Sequence, residues 1–299
     1  MSEPLVYIIL VNYRVIELTI ECIISLQKIT YKNYKIVVVD NSPNEGLDEE
    51  LKQNFTSVIL LKSDKNSGFA GGNNIGIKYA IENGAKYVVL LNNDTTVENN
   101  FLEPLLETFN DRSVGLATGK IMYSVDRDKI WYGGGKINWI RGGGIMLGSG
   151  KSDNSEYNNK SEVTFASGCL FCLKSDIIEK VGVLNEDYFT YQEDTDYCVR
   201  LRRMGFSIIY EPKSKIYHQI NATTQKSDFP LLYYQFRNRL YFIKKHSPII
   251  LKQIGYIYLI TVMIIKSIYW TIKREFKKVR LIISAIRDFS KNNMGAMKG

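Results

Sequence analysis

Short apolar runs alternate with longer periodic segments through the first half of the chain. In the periodic segments, apolar residues recur every three or four positions, which is typical of helices packed on one face. The pattern predicts strands at 5–11, 35–40, 57–61 and 87–91, and helices at 15–28 and 71–83. Unbroken apolar strands separated by helices are typical of a parallel sheet covered on both faces. We therefore predict an α/β fold with a central sheet and helices on both faces.

The middle of the chain is less regular and rich in glycine. Residues 131–150 hold two glycine triplets, and the polar segment 149–162 predicts a mobile loop. Beyond it, the pattern predicts strands at 163–173 and 207–210, the second closed by Pro212, and helices at 175–181 and 195–204. The chain shows no internal repeat, so we expect residues 1–230 to form one domain.

The last segment, 231–299, differs from the rest in charge. It carries 14 lysines and arginines against two acids, whereas the first 230 residues carry 25 against 29. Its uncharged stretch, 254–265, is shorter than the roughly 20 apolar residues that span a bilayer. Because a basic, apolar segment suits the surface of an anionic membrane, we predict a helical membrane-associating segment at 231–299. A buried helix with a solvated basic face and a true span are the alternatives.

The cysteines and the start of the chain predict a location. Four cysteines in 299 residues do not form a disulfide framework, and no secretory signal pattern opens the chain. Both features predict a reducing cytoplasm, so we place the protein at the cytoplasmic face of the cell membrane, peripheral or monotopic. No nucleic-acid-binding motif accompanies the basic residues, so we expect no nucleic acid partner.

Polar residues follow each of the four early strands. Asn12 and Asp40 close the first two, Asn66 follows the third, and Asn93 and Asp94 follow the fourth. In open parallel sheets, ligands bind beyond the carboxyl ends of the strands, where these side chains would meet. Asn and Asp are also common in turns and helix caps, which is the alternative interpretation. We predict that these residues share a ligand site.

The run VVLLNNDTTV at 88–97 places Asp94 at the end of a buried strand. A carboxylate there suits Mg²⁺ or Mn²⁺, because these ions bind one or two protein carboxylates and complete their shell with substrate phosphate and water. The sequence therefore predicts Asp94 as a metal ligand in a diphosphate-dependent enzyme.

The stretch GFAGGNNIG at 68–76 is a second candidate binding element. Its spacing matches neither a Walker loop nor a G-x-G-x-x-G motif. Glycines allow close approach of the backbone, and a helix N-terminus binds anions, so Gly68, Gly71, Gly72 and Asn73 are candidates to bind a nucleotide's ribose or phosphate. A tight turn with a small-residue packing face is an equal alternative.

Three acids within four residues, Glu193, Asp194 and Asp196, exceed what a helix cap requires. Paired carboxylates near a site make one of them basic enough to accept a proton. The cluster therefore predicts a general base.

These motifs together resemble the inverting family 2 glycosyltransferases, in the rhamnosyltransferase-like branch. GFAGGNNIG, VVLLNNDTTV and FTYQEDTDYCVRLRRMG carry the resemblance, which extends over most of the chain. It implies a GT-A fold with a mixed, Rossmann-like central sheet, a nucleoside diphosphate sugar donor and Mg²⁺ or Mn²⁺.

The resemblance also implies roles for single residues. Asp40 matches the position that contacts the nucleoside base, and Asp194 matches the base that deprotonates the acceptor hydroxyl, with Glu193 second. His218 matches a histidine near the diphosphate and the metal, and is therefore a second candidate metal ligand. Arg237 and Arg239 match an R-N-R segment and either face phosphate or lie on a helix surface.

The predicted function is transfer of a sugar, with L-rhamnose one candidate, from a nucleoside diphosphate sugar to a lipid-linked glycan acceptor in cell-wall or surface polysaccharide synthesis. A homodimer stays open. Two alternatives also stay open: a nucleotidyltransferase, which would need a basic triphosphate loop where Arg14 stands alone, and a non-catalytic membrane scaffold with a degenerate nucleotide-sugar site.

Overall fold

Apolar strands of the first half pair into the centre of a large mixed sheet. A computed structural model describes residues 3–42, 46–220 and 230–298. The strands of this part of the chain are β1 Val6–Asn12, β2 Tyr34–Asp40, β3 Ile59–Lys62, β4 Tyr87–Leu91, β5 Thr95–Val97, β6 Val114–Tyr123, β7 Ile130–Tyr132, β8 Gly135–Asn138, β9 Gly143–Met146, β10 Ser161–Val163, β11 Leu170–Lys174 and β12 Ser207–His218.

The α-helices of the described residues connect or cover these strands. They are α1 Ile16–Leu26, α2 Leu47–Asn54, α3 Gly68–Glu82, α4 Leu102–Thr108, α5 Ser175–Val181, α6 Glu193–Arg203, α7 Leu231–His246, α8 Ile249–Ile272 and α9 Phe276–Ser290. The strands and helices predicted for the first half are confirmed, with ends that differ by a few residues.

Ten of these strands form one sheet, whose main path runs β10-β12-β6-β11-β4-β1-β2-β3. The β4-β1-β2-β3 part is parallel, as the unbroken apolar strands predict. β11 runs antiparallel to both β4 and β6, which makes the sheet mixed. Strand β5 adds to β12, and β8 pairs with β9 in a separate hairpin.

Two predicted strands have the wrong bounds. The segment predicted as one strand at 163–173 is two strands, β10 and β11, because the chain between them turns toward α6: the Gly168 N–H donates to Asp194 rather than to a neighbouring strand. The strand predicted to stop at Pro212 runs on to His218. A register shift between Glu211 and Lys215 accommodates the proline, which has no N–H to give to the ladder.

The polar segment 149–162, predicted as a mobile loop, is held against the sheet. Lys120, 1% exposed on β6, lies 2.5 Å from the Asp153 carboxylate, and Tyr157 is buried. The glycine-rich stretch before it forms β7 and the β8–β9 hairpin.

The C-terminal helices pack on each other through a second apolar core. This core joins α7, α8 and α9 and includes Phe236, Leu240, Leu259, Met263 and Ile282. Helix α8 has 24 residues, about 36 Å at 1.5 Å per residue. Among the described helices it is long and apolar enough to cross a membrane, and only 17% of its most apolar window is buried by protein. A core helix of a soluble protein would be mostly buried.

Candidate active site

A cavity of about 450 Å³ lies beyond the carboxyl ends of the parallel strands. It brings together most of the residues that the sequence singles out, from four separate parts of the chain. The predicted site residues that line it are Asn66, Gly68, Asn73, Asn93, Asp94, Glu193, Asp194 and His218.

Asn12 and Asp40 lie behind the cavity wall instead of lining it. Both are buried, and the Asn12 amide donates to the Asp40 carboxylate at 3.1 Å. The Asp40 carboxylate also accepts the Ser42 N–H at 3.0 Å. The neighbour of Asp40, Asn41, lines the cavity and donates to the Gly68 carbonyl at 2.9 Å. The carboxylate predicted to face a ligand thus orders the end of β2, and the adjacent amide reaches the cavity.

The glycines of α3 divide between the cavity and the core. Gly68 lines the cavity, has a left-handed φ of +74°, and a Cβ there would lie 2.3 Å from the Phe189 carbonyl oxygen. Gly71 and Gly72 do not line it: a Cβ at Gly72 would lie 2.7 Å from Val11 Cγ1, so this glycine lets α3 pack on β1. Gly71 and Gly72 therefore agree with the packing alternative. At Gly68 the close approach is between the start of α3 and the Phe189 backbone.

Asp94 and His218 face each other across the pairing of β5 with β12. Asp94 Oδ1 lies 3.1 Å from His218 Nε2, yet the oxygen is buried and accepts no hydrogen bond. Asn92 Oδ1, at the same edge, is likewise buried without a partner. Trp131 packs edge-on against the His218 ring, with centroids 4.6 Å apart. Among the described residues, no group of three or more His, Cys, Asp or Glu side chains is arranged to hold a metal ion, so Asp94 and His218 would contribute only two protein ligands.

Glu193 and Asp194, the first residues of α6, also line the cavity. Asp194 Oδ2 accepts the Gly168 N–H at 3.1 Å, and Oδ1 accepts the Thr195 N–H at 2.6 Å. Burial raises the pKa of Asp194, although these hydrogen bonds act to lower it. Glu193 Oε2 has no hydrogen-bond partner, and burial together with the charge of Asp194 raises the pKa of Glu193 well above its usual range. The two carboxyls therefore form a pair able to take up a proton.

Asp196, the third acid of the cluster, points away from the cavity into a buried network. It accepts from Arg200 Nε and His246 Nε2, each at 2.7 Å, and from Lys245 Nζ at 3.0 Å. Although burial acts to raise it, the hydrogen bond from His246 and the charge of Arg200 hold the pKa of Asp196 below its usual range. Asp196 thus ties α6 to α7.

Arg237 fits neither predicted location, because it is fully buried and does not line the cavity. Its guanidinium donates to the Gly295 carbonyl at 2.7 Å and to the Tyr233 hydroxyl at 3.1 Å. Arg239 is largely buried, and its burial lowers the pKa of the guanidinium.

Sequence reasoning missed several lining residues. Tyr13, Asn41, Trp131 and Tyr191 all line the cavity. The sequence could have identified Asn41, since it directly follows a strand-end acid. The aromatic side chains carry no such signal, because apolar rings at irregular positions look like core residues.

The sequence model of Glycosyl transferase family 2 matches residues 7–182, which is more than half of the chain. The chain belongs to this family. The matched residues hold the parallel strands, the glycine turn and Asp94, and the cavity is therefore that of a family 2 glycosyltransferase.

Curated relatives of the chain are likewise named as glycosyltransferases. The chain is 29% identical over 229 residues to dTDP-rhamnosyl transferase RfbF of Shigella flexneri, covering 74% of each protein. It is 28% identical over 261 residues to a low-salt glycan biosynthesis hexosyltransferase of Haloferax volcanii, covering 84% of this chain and 80% of the relative. Identity to the N-acetylglucosaminyl-diphospho-decaprenol L-rhamnosyltransferase of Mycobacterium tuberculosis is 24% over 212 residues, 65% of this chain and 69% of that one.

Solved structures share the fold. GalNAc-T7, solved with UDP, GalNAc and Mn²⁺, superposes with a TM-score of 0.63 at 16% identity over 80% of this chain, which spans 48% of that protein. The mannosyltransferase PcManGT of Pyrobaculum calidifontis, solved with GDP-Man and Mn²⁺, gives 0.59 at 14% identity over 99% of this chain and 77% of its own. The fold of this family 2 glycosyltransferase is GT-A, as the resemblance implied.

Proposed function

We propose that this glycosyltransferase moves a sugar, with inversion, from a nucleoside diphosphate sugar to an acceptor hydroxyl. The observation that carries the proposal is that two pairs of side chains, Asp94 with His218 and Glu193 with Asp194, line one cavity. The first pair suits a diphosphate and its cation, and the second suits an acceptor proton. The relatives named for rhamnosyl transfer support L-rhamnose as the sugar.

The donor nucleotide would lie over the ends of β1, β2 and β4 and the start of α3. Asn41, Asn66, Asn73 and Asn93 offer amides there, and Gly68 allows the start of α3 to pack against the Phe189 carbonyl at the cavity. Asn12 and Asp40 act from behind, because their hydrogen bonds set the backbone that presents Asn41.

Asp94 and His218 would hold a divalent cation, Mg²⁺ or Mn²⁺. The residues fit such an ion: Asp94 Oδ1 is buried without a hydrogen bond beside the imidazole, and two protein ligands leave positions for phosphate oxygens. When bound, the ion neutralises charge on the departing nucleoside diphosphate. The Mn²⁺ present in the GalNAc-T7 and PcManGT structures supports this assignment.

Asp194 would accept the proton of the acceptor hydroxyl as that oxygen attacks the anomeric carbon. Hydrogen bonds from Gly168 and Thr195 fix its orientation, and burial keeps it a stronger base than an exposed aspartate. Glu193 shares the same buried environment, and its charge state sets how readily Asp194 gives up or takes a proton.

A lipid-linked glycan acceptor in cell-wall or surface polysaccharide synthesis agrees with the C-terminal helices. The outer face of α8 is a stripe of exposed isoleucines, among them Ile250, Ile257, Ile264 and Ile268. Basic residues follow it at 273–280. Such a face suits the interface of an anionic membrane, at the cytoplasmic side of the cell membrane. The M. tuberculosis relative, by its name, acts on a diphospho-decaprenol lipid, which supports this class of acceptor.

The domain boundary predicted at residue 230 rests on the change in net charge along the chain, and the contacts of α7 refine it. Helix α7 packs against the loop before α6 through buried hydrogen bonds, whereas α8 and α9 carry the exposed apolar face. We therefore assign α7 to the glycosyltransferase body and the membrane contact to α8 and α9.

A donor screen tests the proposal. Purified protein is given sugar nucleotides with and without Mn²⁺, in the presence of a membrane extract, and release of nucleoside diphosphate is measured. We expect release from a limited set of donors, dTDP-L-rhamnose among them, and dependence on the cation. Release from no sugar nucleotide would contradict the proposal, and release of pyrophosphate from a nucleoside triphosphate would favour the nucleotidyltransferase.

A further inference from the structure

The loop before α6 has a strained backbone. Phe189, Tyr191 and Gln192 have left-handed φ angles of 62°, 65° and 80°. Residues other than glycine rarely adopt a left-handed backbone conformation, and those that do are held in it by their surroundings. Something must therefore hold this loop.

The same loop lies between the glycine turn that begins α3 and the carboxyl pair that begins α6. Phe189, Thr190 and Tyr191 line the cavity, and Glu193 and Asp194 follow directly. On the other side, the Phe189 carbonyl accepts the Ala70 N–H at 3.2 Å, at the glycine turn that begins α3. A shift of the loop would thus move the carboxyl pair relative to the donor turn.

One buried side chain on α7 binds three carbonyls of this loop. Asn238 is fully buried, and its Nδ2 lies 2.8, 2.7 and 2.8 Å from the carbonyl oxygens of Tyr188, Thr190 and Tyr191. Its Oδ1 accepts from Arg237 Nε at 3.0 Å, which fixes which end of the amide faces the loop. The Tyr188 carbonyl also accepts the Thr190 N–H at 2.7 Å, so an apolar side chain in place of Asn238 would remove the donor mainly from the Thr190 and Tyr191 carbonyls.

We propose that Asn238 is a positioning residue for sugar transfer: it holds the strained loop 187–192 so that Tyr191, Glu193 and Asp194 keep their places in the cavity. This inference rests on the proposed function of the cavity. Asn238 does not line the cavity, so it acts through the loop and not on substrate. Arg237 supports it, since its guanidinium also reaches the Tyr188 carbonyl at 3.3 Å. Helix α7 therefore completes the active site as well as leading to α8.

The test compares Asn238→Ala and Asn238→Ser with the wild type by two measurements. Hydrogen–deuterium exchange reads the amides of 186–196, and steady-state kinetics uses the sugar nucleotide that the wild type turns over in the donor screen, with active sites counted by donor-binding stoichiometry. We expect exchange of 186–196 in Asn238→Ala to accelerate at least tenfold, with β1 and β4 unchanged. We expect kcat per donor-binding site to fall at least tenfold while KM for the donor changes less than threefold. Asn238→Ser keeps one donor and should fall between, which keeps the test decisive if the alanine variant fails to fold.

Thr118→Val is the matched control, because the Thr118 hydroxyl also donates one buried hydrogen bond, to the Leu170 carbonyl at 2.8 Å, away from the loop. It should leave kcat per donor-binding site unchanged. Unchanged exchange at 186–196 in the Asn238 variants would overturn the claim that Asn238 holds the loop. Faster exchange with unchanged kcat would overturn the positioning role. If the wild type turns over no sugar nucleotide, the proposed function and the role in transfer fail together, and the exchange measurement still decides whether Asn238 holds the loop.

Discussion

Asp94 and His218 lie far apart in the chain and meet because β5 pairs with β12, where Thr95 is opposite His218. The strand register therefore fixes the distance between the two side chains. A buried carboxylate oxygen without a hydrogen bond is costly unless a ligand completes it. We therefore propose that the pair is one half of a cation site, with the substrate's phosphates as the other half.

Replacing Asp94 by Asn tests this half-site. The amide removes the charge that would face the cation, so we expect nucleoside diphosphate release to fall by about a hundredfold or more and to need more Mn²⁺. The measurement is initial rate against Mn²⁺ concentration. Asp64→Asn, which changes an exposed aspartate outside the cavity, is the control and should keep the wild-type curve. A normal Mn²⁺ dependence in Asp94→Asn would remove this residue from the metal site.

Glu193→Gln should change stability with a defined pH dependence. Burial and the charge of Asp194 raise the pKa of Glu193 in the folded protein. A raised folded-state pKa means that the stability Glu193 contributes is present below its unfolded pKa and is lost as the pH rises through the folded one. The neutral amide escapes that loss. We therefore expect a higher Tm than the wild type at pH 8 and a similar Tm near pH 4, by thermal unfolding. Glu179→Gln, at an exposed glutamate, should show no such difference, and a lower Tm for Glu193→Gln at pH 8 would contradict the account.

The contact between α3 and β1 depends on glycine. A Cβ at Gly76 would lie 2.5 Å from Ile9 Cγ2, closer than side chains pack, so α3 approaches the sheet only where its face lacks side chains. This close approach brings the N-terminus of α3, with Gly68, to the cavity. The glycines of α3 thus determine both how the helix packs on β1 and where its N-terminus lies at the cavity.

Gly76→Val should therefore destabilise the protein by about 2–3 kcal/mol, because the added carbons force Ile9 or the helix to move. Equilibrium denaturation in urea measures the free energy of unfolding. Lys78→Val places the same residue on the exposed face of the same helix and accounts for helix propensity, so it should cost well under 1 kcal/mol. Equal losses in the two variants would mean that packing on β1 is not the cause.

The sequence predicted β1 to β4 well because each of them is a largely apolar run, and it predicted α1 and α3 from their periodicity, but it did not predict α2, α4, β5 or β6. It failed between β10 and β11, where apolar residues such as Phe165 continue the pattern while the backbone turns toward α6. For the site, Asp40 and Asp94 are both strand-end acids that the sequence placed in one ligand site, with different roles. Only the tertiary structure separates them, because hydrogen bonds from Asn12 and Ser42 turn the Asp40 carboxylate away from the cavity. The left-handed loop at 189–192 has no glycine and so gave no signal at all.

The whole molecule combines a near-neutral catalytic body with a basic, apolar pair of helices. Helix α8, with 24 residues, is longer than the uncharged run read from the sequence because it also includes Lys252 and Lys266. The Lys266 ammonium lies over the rings of Trp270 on α8 and of Phe236 on α7. A lysine flanked by aromatic rings is typical of the membrane interface. The homodimer that the sequence left open stays open.

The double variant Ile257→Lys/Ile264→Lys tests the membrane contact. These side chains are 67% and 55% exposed, and each would contribute about 1.5–3 kcal/mol when buried in lipid. We expect the wild type to float with vesicles of phosphatidylcholine and phosphatidylglycerol, less so at high salt, and the variant to stay in the soluble fraction. Val125→Lys, at a 94% exposed valine elsewhere, should float as the wild type does. Equal flotation of the double variant would place the contact on another surface.

The central claim is that the carboxylates of Asp94 and Asp194 serve one sugar transfer. Its most direct test is to measure turnover by Asp194→Asn together with the affinity of this variant for the donor. Removing a general base typically costs about 10²–10⁴-fold in rate and leaves the groups that bind the nucleotide in place. We predict that Asp194→Asn binds the donor with a Kd within threefold of the wild type and releases nucleoside diphosphate at least a hundredfold more slowly. Turnover within threefold of the wild type would contradict the account.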